Sequence, residues 1–300
     1  MPTGIILLDK PQGLTSNGAL QRVRKAYGAA SAGHVGTLDP MATGMLPLCL
    51  DEATKVIAEI ESGAKCYEFT VQLGKRTDTG DAEGATVEEQ PIPALDAARV
   101  EQALAGLRGI QSQIPPMYSA LKRGGRPLYE LARQGVEVER AARTIDIRRL
   151  ELLARRADAL DLVCECAKGT YIRVLGEDIA RKLGTVGFLT RLRRSWVEPF
   201  REMPMLSLET VLAGAASGQL LLAPDVALRA LPQASLTEEQ VTALRHGQAV
   251  PGDAVIAPHA GRRVRMYGPG GAFLGLGELQ ADGRLQPRRL IQASPSKPML

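Results

Sequence analysis

The sequence predicts an α+β protein in two unequal parts, and a few patterns in its 300 residues carry that prediction. Residues 67–73 alternate, with Tyr67, Phe69, Val71 and Leu73 on one face, which is the period of a strand. Residues 144–153 and 160–167 read as two paired strands joined by a charged turn, with helical stretches before and after at 97–107 and 171–183. Beyond residue 235, short strand-like runs separated by glycines predict a small β domain.

Taken in order, residues 4–8 are a short apolar run that reads as a buried strand ending at Asp9-Lys10-Pro11-Gln12-Gly13. Ser16 stands where an N-cap belongs, predicting a helix to residue 26. Residues 33–47 show neither helical nor strand period. Residues 74–84 are a polar loop, and 110–127 a long irregular stretch with Pro115-Pro116 and Gly124-Gly125. A loop of that length is usually functional or mobile. Lys168-Gly169-Thr170 breaks the second of the paired strands, and residues 188–197 are a further strand candidate. A short helix at 207–212 precedes a linker at 223–235, after which Thr237 caps a helix to residue 245. Glycines 268, 270, 271, 275 and 277 suit hairpin turns better than a dinucleotide loop, and no Walker lysine motif is present.

The net charge of +4 is mild. Basic residues nevertheless outnumber acidic ones across residues 108–156, and arginines recur at 191, 193 and 194, at 262, 263 and 265, and at 288 and 289. Such clusters fit either a polyanionic partner or a solvated surface. Cys49, Cys66, Cys164 and Cys166 form no CxxC pair and the histidines are far apart, so free buried thiols in a reducing compartment are expected rather than a zinc site. The apolar run at the start is too short for a signal peptide or a membrane span, and a cytoplasmic protein is expected.

The segment richest in chemistry is Gly33-His34-Val35-Gly36-Thr37-Leu38-Asp39-Pro40-Met41-Ala42-Thr43-Gly44-Met45-Leu46-Pro47. Pro40 pushes Asp39 out of the helical region, and the glycines let the backbone turn tightly or approach a ligand. Such a loop displays a few polar side chains from a fixed backbone. By itself it is also compatible with a surface turn and a solvated aspartate.

Together with Leu8-Asp9-Lys10-Pro11-Gln12-Gly13, the runs 65–69 and 73–81, Gln113-Ile114-Pro115-Pro116-Met117-Tyr118-Ser119-Ala120-Leu121-Lys122 and Cys166-Ala167-Lys168-Gly169-Thr170-Tyr171-Ile172-Arg173, this segment closely resembles the bacterial tRNA pseudouridine-55 synthases, the TruB family. The resemblance spans essentially the whole chain. It implies a catalytic domain on a mixed, largely antiparallel sheet over residues 1–232, with an RNA-clamping insertion at about 108–143. A PUA-like RNA-binding β domain follows at 233–300. It implies isomerisation of uridine 55 in the tRNA T loop by a monomer that needs no cofactor, metal or obligate protein partner.

The same resemblance assigns Asp39, Tyr67 and Arg173 to catalysis and His34, Tyr171 and Lys10 to RNA binding or support of the loop. Asp39 matches the catalytic aspartate, Arg173 the arginine paired with it, and Tyr67 the tyrosine that stacks on the flipped base. His34 resembles the histidine that fills the gap the base leaves. Core packing remains an alternative for both tyrosines, and a plain loop role for His34. Asp9, Asp51, Asp78 and Asp81 are expected to be structural or solvated. Two rival functions remain: a guide-dependent rRNA pseudouridine synthase, disfavoured by the long insertion and short tail, and an RNA-folding module that needs no chemistry.

Overall fold

The computed structural model describes residues 2–252 and 260–292. β1 (Gly4–Lys10) opens the chain and is buried almost throughout. In α1 (Ser16–Tyr27) the N-cap is Thr15, whose hydroxyl accepts from the Gly18 N–H at 2.9 Å. Ser16, expected to be the cap, is the first helical residue instead and is 2% exposed. Residues 33–47 contain more regular structure than their composition announces. β2 (Ala32–His34) and β3 (Thr43–Leu50) flank an irregular loop that carries Asp39. Pro47 lies inside β3 opposite Leu7, and its carbonyl accepts from Val35 N–H at 2.9 Å.

A 3-10 turn (Asp51–Val56) and α2 (Ile57–Glu61) lead into β4 (Lys65–Leu73), whose alternating face is buried as the period demands. The polar stretch at 74–84 is not a plain loop. It begins with β5 (Lys75–Thr77), which pairs with β6 (Thr86–Glu89) as a hairpin. α3 (Ala97–Ala105) is followed by β7 (Gly109–Gln113), so the stretch expected to be irregular starts as an edge strand. Within it β8 (Lys122–Arg123) and β9 (Arg126–Pro127) form a small hairpin that runs into α4 (Leu128–Arg133). β10 (Arg143–Arg155) and β11 (Ala159–Cys166) pair antiparallel, followed by α5 (Ile172–Leu183) and β12 (Gly187–Val197). β13 (Leu206–Ser207) and α6 (Leu208–Ala213) complete the larger domain.

Its sheet runs β13-β1-β3-β12-β4-β11-β10-β7, with β2 on β3. Among the described strands of this sheet only β1–β13 and β3–β12 pair parallel, so it is mixed and largely antiparallel. One face packs Leu8, Leu46, Phe69, Val71 and Leu162 beneath α1, α3 and α5. Burial of each large side chain contributes roughly 1.5–3 kcal/mol. The parallel pair β3–β12 sets the rear of the site. Gly44 has φ +101°, and a Cβ there would come within 2.2 Å of the Arg194 carbonyl, so only glycine fits.

Residues 223–235 are not a free linker. The 3-10 turn Pro224–Leu228 buries Ala227 and Leu228, and β14 (Gln233–Ser235) already belongs to the second sheet. α7 (Glu238–Arg245) has the expected Thr237 cap, completed as a capping box by Gln240. With β15 (Val250–Pro251), β16 (Arg263–Tyr267), β17 (Phe273–Leu279) and β18 (Arg284–Leu290) the second sheet has the order β14-β16-β17-β18-β15. Residues 253–259 and 293–300 of the expected second domain lie outside the described residues. The small domain docks through Leu276, buried in one cluster with Ala53, Val56, Ile60 and Phe200. Lys55 Nζ also donates to the Leu290 carbonyl at 2.7 Å.

Candidate active site

The loop bearing Asp39 is held from several sides. Lys10, at the end of β1 and 0% exposed, donates from Nζ to the carbonyls of Pro11, Leu14 and Pro40 at 2.9, 2.6 and 3.3 Å. The Ser16 hydroxyl donates to the Leu38 carbonyl at 3.0 Å and accepts from the Leu38 N–H at 2.8 Å. Arg194 on β12, 1% exposed, donates to the carbonyls of Met45, Val35 and Gly36 at 2.7, 3.1 and 3.0 Å. A loop with its carbonyls bound on three sides cannot drift, so the direction of the Asp39 side chain is set before any ligand arrives.

Arg173, in the first turn of α5, meets that side chain. Its Nε lies 2.9 Å from Asp39 Oδ2 and its Nη2 3.4 Å from Asp39 Oδ1. The other edges of the guanidinium donate to the Thr79 carbonyl at 2.8 Å and the Tyr118 carbonyl at 2.6 Å. Asp81 supplies a second carboxylate, with Oδ2 3.5 Å from Arg173 Nε. Its Oδ1 accepts from the Thr79 hydroxyl at 2.6 Å and the Glu83 N–H at 3.1 Å. Asp39 is crowded by protein, yet 31% of its side chain remains open. Burial pushes its carboxyl above the ordinary aspartate value, Arg173 opposes that, Asp81 adds to it, and Lys10 works with Arg173.

The open part of Asp39 faces a cavity of about 730 Å³, whose walls include Tyr67, Ser119, Arg143, Tyr171 and Arg173. That volume lies within the range of about 300–1,000 Å³ typical of small-ligand sites. Tyr67 rises from β4 and is 8% exposed. Burial drives its phenol up to about 12, with the Arg194 charge pulling the other way, so it is a neutral hydroxyl at pH 7. Tyr171 caps α5, and its phenol is raised by burial.

The model described as TruB family pseudouridylate synthase (N terminal domain) matches residues 24–172, and the one described as Pseudouridine synthase II TruB, C-terminal, matches residues 232–291. A tRNA pseudouridine synthase B from Aromatoleum aromaticum is 50% identical over 291 residues, 96% of this chain and 92% of that protein. One from Pseudomonas fluorescens (strain Pf0-1) is 47% identical over 97% of this chain and 96% of that protein. The chain belongs to the TruB family of pseudouridine synthases. The same fold occurs in a solved Cbf5-Nop10-Gar1 complex, at TM-score 0.74 and 22% identity, covering 97% of this chain and 85% of that one.

In this TruB-family enzyme the structure gathers Asp39, Tyr67, Tyr171 and Arg173 around one cavity. Lys10 and His34 are not among the cavity's lining residues. Lys10 grips the loop from behind; burial lowers its ammonium to about 8, partly countered by Asp39. His34 ends β2, its Nδ1 is buried without a partner, and burial followed by the Arg194 charge lowers its pKa.

Sequence reasoning names Asp81, Arg194, Ser16 and Gln113 but places none of them at the site. Of the two roles expected for Asp81, structural or solvated, the structure fits the first: it is 3% exposed and shares Arg173. The run Thr77-Asp78-Thr79-Gly80-Asp81 was the available signal, since Gly80 at φ +74° turns the chain back on itself. Arg194 was counted with a surface cluster but is a buried strut, and its neighbour Arg193 pairs with Asp9 at 2.8 Å. Other clustered arginines are similarly engaged: Arg108 with Glu101, Arg148 with Asp146, Arg149 with Glu151 and Arg156 with Asp161. Among the described residues Lys122, Arg123 and Arg126, all exposed on the β8–β9 hairpin, have no carboxylate partner.

The four cysteines are buried and free. Among the described residues no three His, Cys, Asp or Glu side chains are grouped to hold a metal ion, and no helix is long and apolar enough to cross a membrane.

Proposed function

We propose that this pseudouridine synthase isomerises uridine 55 in the T loop of tRNA, with Asp39 as the catalytic carboxylate. The observation that carries the reading is the Asp39–Arg173 ion pair opening into a cavity walled by two tyrosines. The relatives that match nearly the whole chain are tRNA pseudouridine synthases, which supports tRNA as substrate.

The isomerisation breaks the bond from C1′ to N1 and makes one from C1′ to C5. The proton lost at C5 is balanced by one gained at N1, so the reaction is redox-neutral and requires no cofactor. A group must act on the sugar or the base while the base is detached and turned. The ionised Asp39 is that group, and the Arg173 charge keeps it ionised in a crowded site. The target base leaves its stack to enter the cavity. Tyr67 offers the face on which it stacks, an interaction contributing roughly 1–3 kcal/mol. Tyr171 bounds the pocket on the side of Arg173. His34 fills the space the base leaves in the RNA.

Lys122, Arg123 and Arg126 on the insertion, with Arg143 at the cavity, engage phosphates and hold the T stem-loop. The C-terminal β domain, PUA-like in this reading, contacts the acceptor end. The enzyme acts alone, as a monomer. Incubating purified protein with unmodified tRNA and no additive, then mapping pseudouridine, tests the reading: product at position 55 is expected, and modification elsewhere or none refutes it.

A further inference from the structure

Gln113 ends the edge strand β7, where the insertion leaves the sheet. It is 4% exposed, and its side chain crosses to α5. Its Nε2 donates to the Tyr171 carbonyl at 3.1 Å, and its Oε1 accepts from the Tyr171 N–H at 2.8 Å. One side-chain amide thereby bonds both backbone groups of Tyr171, the N-cap of α5, as a paired strand would, while the carbonyl also accepts from Leu175 N–H at 3.0 Å. Arg173 stands two residues further on.

The chain from Gln113 runs through Ile114, Pro115 and Pro116, and the two prolines fix their own φ and stiffen the segment. It arrives at Tyr118, whose carbonyl accepts from Arg173 Nη2 at 2.6 Å. The two ends of a stiff stretch are thus both fastened to the first turn of α5. The rest of the insertion hangs from the same stretch. The Ser119 carbonyl accepts from Tyr129 N–H at 3.1 Å, and the Leu121 carbonyl accepts from Leu128 N–H at 2.7 Å. These bonds tie α4 and the exposed basic hairpin β8–β9 to it.

We propose that Gln113 is a positioning residue whose amide locks the insertion onto the N-terminus of α5, sets the Tyr118 carbonyl against Arg173, and so aligns the Asp39 carboxylate. The inference rests on the reading of Asp39 as the catalytic group. Without the amide, the Tyr171 N–H loses its partner, the Tyr171 carbonyl keeps only the Leu175 N–H, and the Tyr118 carbonyl is no longer held in place. Arg173 keeps Thr79, Asp39 and Asp81 but loses the contact that fixes its remaining edge. The basic hairpin still presents its cations to RNA. The loss therefore falls on the chemical step rather than on binding.

The test is single-turnover pseudouridine formation on a saturating T stem-loop RNA across pH 4.5–8, with RNA affinity and thermal unfolding measured beside it. Gln113→Met, close in length and without hydrogen bonds, is expected to slow the saturating rate on the order of tenfold to a hundredfold. Affinity is expected to stay within about threefold of wild type. The acid limb should move to higher pH, because Arg173 opposes the effect of burial on Asp39 less well. The other groups acting on that carboxyl, Asp81 and Lys10, and the nearby Glu83 and Tyr171, are unchanged. A purely structural role would lower the melting temperature and leave the acid limb of the folded fraction where it was.

If Gln113→Met fails to fold, Gln113→Glu keeps the acceptor for Tyr171 N–H and should show the same direction of change. Wild-type rate and an unmoved acid limb in the folded variant overturn the proposal. Asp39→Asn assayed in parallel separates the two failures. An active Asp39→Asn protein overturns the catalytic reading and this premise with it. An inactive one beside a wild-type-like Gln113 variant overturns this inference alone.

Discussion

Replacing Arg173 by methionine removes the cation from between two carboxylates. The Arg173 side chain is 6% exposed and that of Asp81 4%, so water can do little to replace the lost charge. Asp39 is more open at 31% and can take up a proton from the cavity. Breaking a buried pair by removing one partner costs about 3–5 kcal/mol, and the Thr79 and Tyr118 carbonyls lose their donors as well. We expect Arg173→Met to lose about 3–5 kcal/mol at pH 7 in urea denaturation.

The loss should shrink on acidification. In the variant the Asp39 carboxyl titrates higher, so the folded variant binds a proton before the unfolded chain does, and the gap to wild type closes as pH falls through that raised value. At saturating RNA the rate should fall further than binding does. Arg173→Lys should recover only part of both, because an ammonium cannot reach Asp39 and two separate carbonyls with the geometry of a planar fork. A stability loss under about 1 kcal/mol together with a rate within tenfold of wild type would refute the reasoning.

Lys10→Met unties three loop carbonyls and should cost roughly 2–3 kcal/mol, read by denaturation. Because folded Lys10 titrates near 8 rather than 10.5, the folded protein releases that proton first, so wild type should gain stability over the variant between pH 8 and 10; a constant gap would argue against the burial. Arg194→Lys should lower the melting temperature by several degrees, since lysine cannot serve the carbonyls of Val35, Gly36 and Met45 together; an unchanged value would count against the strut. The wild-type rate at saturating RNA should fall with acid through a carboxyl above the ordinary aspartate value, because burial outweighs Arg173; a rate flat to pH 4 would contradict it.

What could be read from the chain was local. Pro40 and nearby glycines marked out the Asp39 loop and a period of two placed Tyr67 on one strand face, but the site roles of both came from the family resemblance. The β10–β11 pair, α5 and the Thr237 cap were likewise legible from local pattern. What could not be read depended on distant partners. β3 was hidden by Pro47, which strands normally exclude from their interiors. Ser16 looked like a cap because its use, bonding Leu38, lies 22 residues away. Arg193 and Arg194 are adjacent in a strand and point to opposite faces, one to Asp9 and one to the loop, which no count of arginines distinguishes. The stretch at 223–235 reads as a linker until the surface that buries Leu228 is in place.

The central claim is that Asp39 performs the chemistry, and substitution by asparagine tests it most directly. Asn keeps the size of the side chain and removes the charge that Arg173 holds in place. Wild type and Asp39→Asn should be compared on unmodified tRNA for affinity and for pseudouridine at position 55. The account predicts affinity within about tenfold of wild type and no product from the variant. Measurable multiple-turnover pseudouridine formation by Asp39→Asn would contradict it.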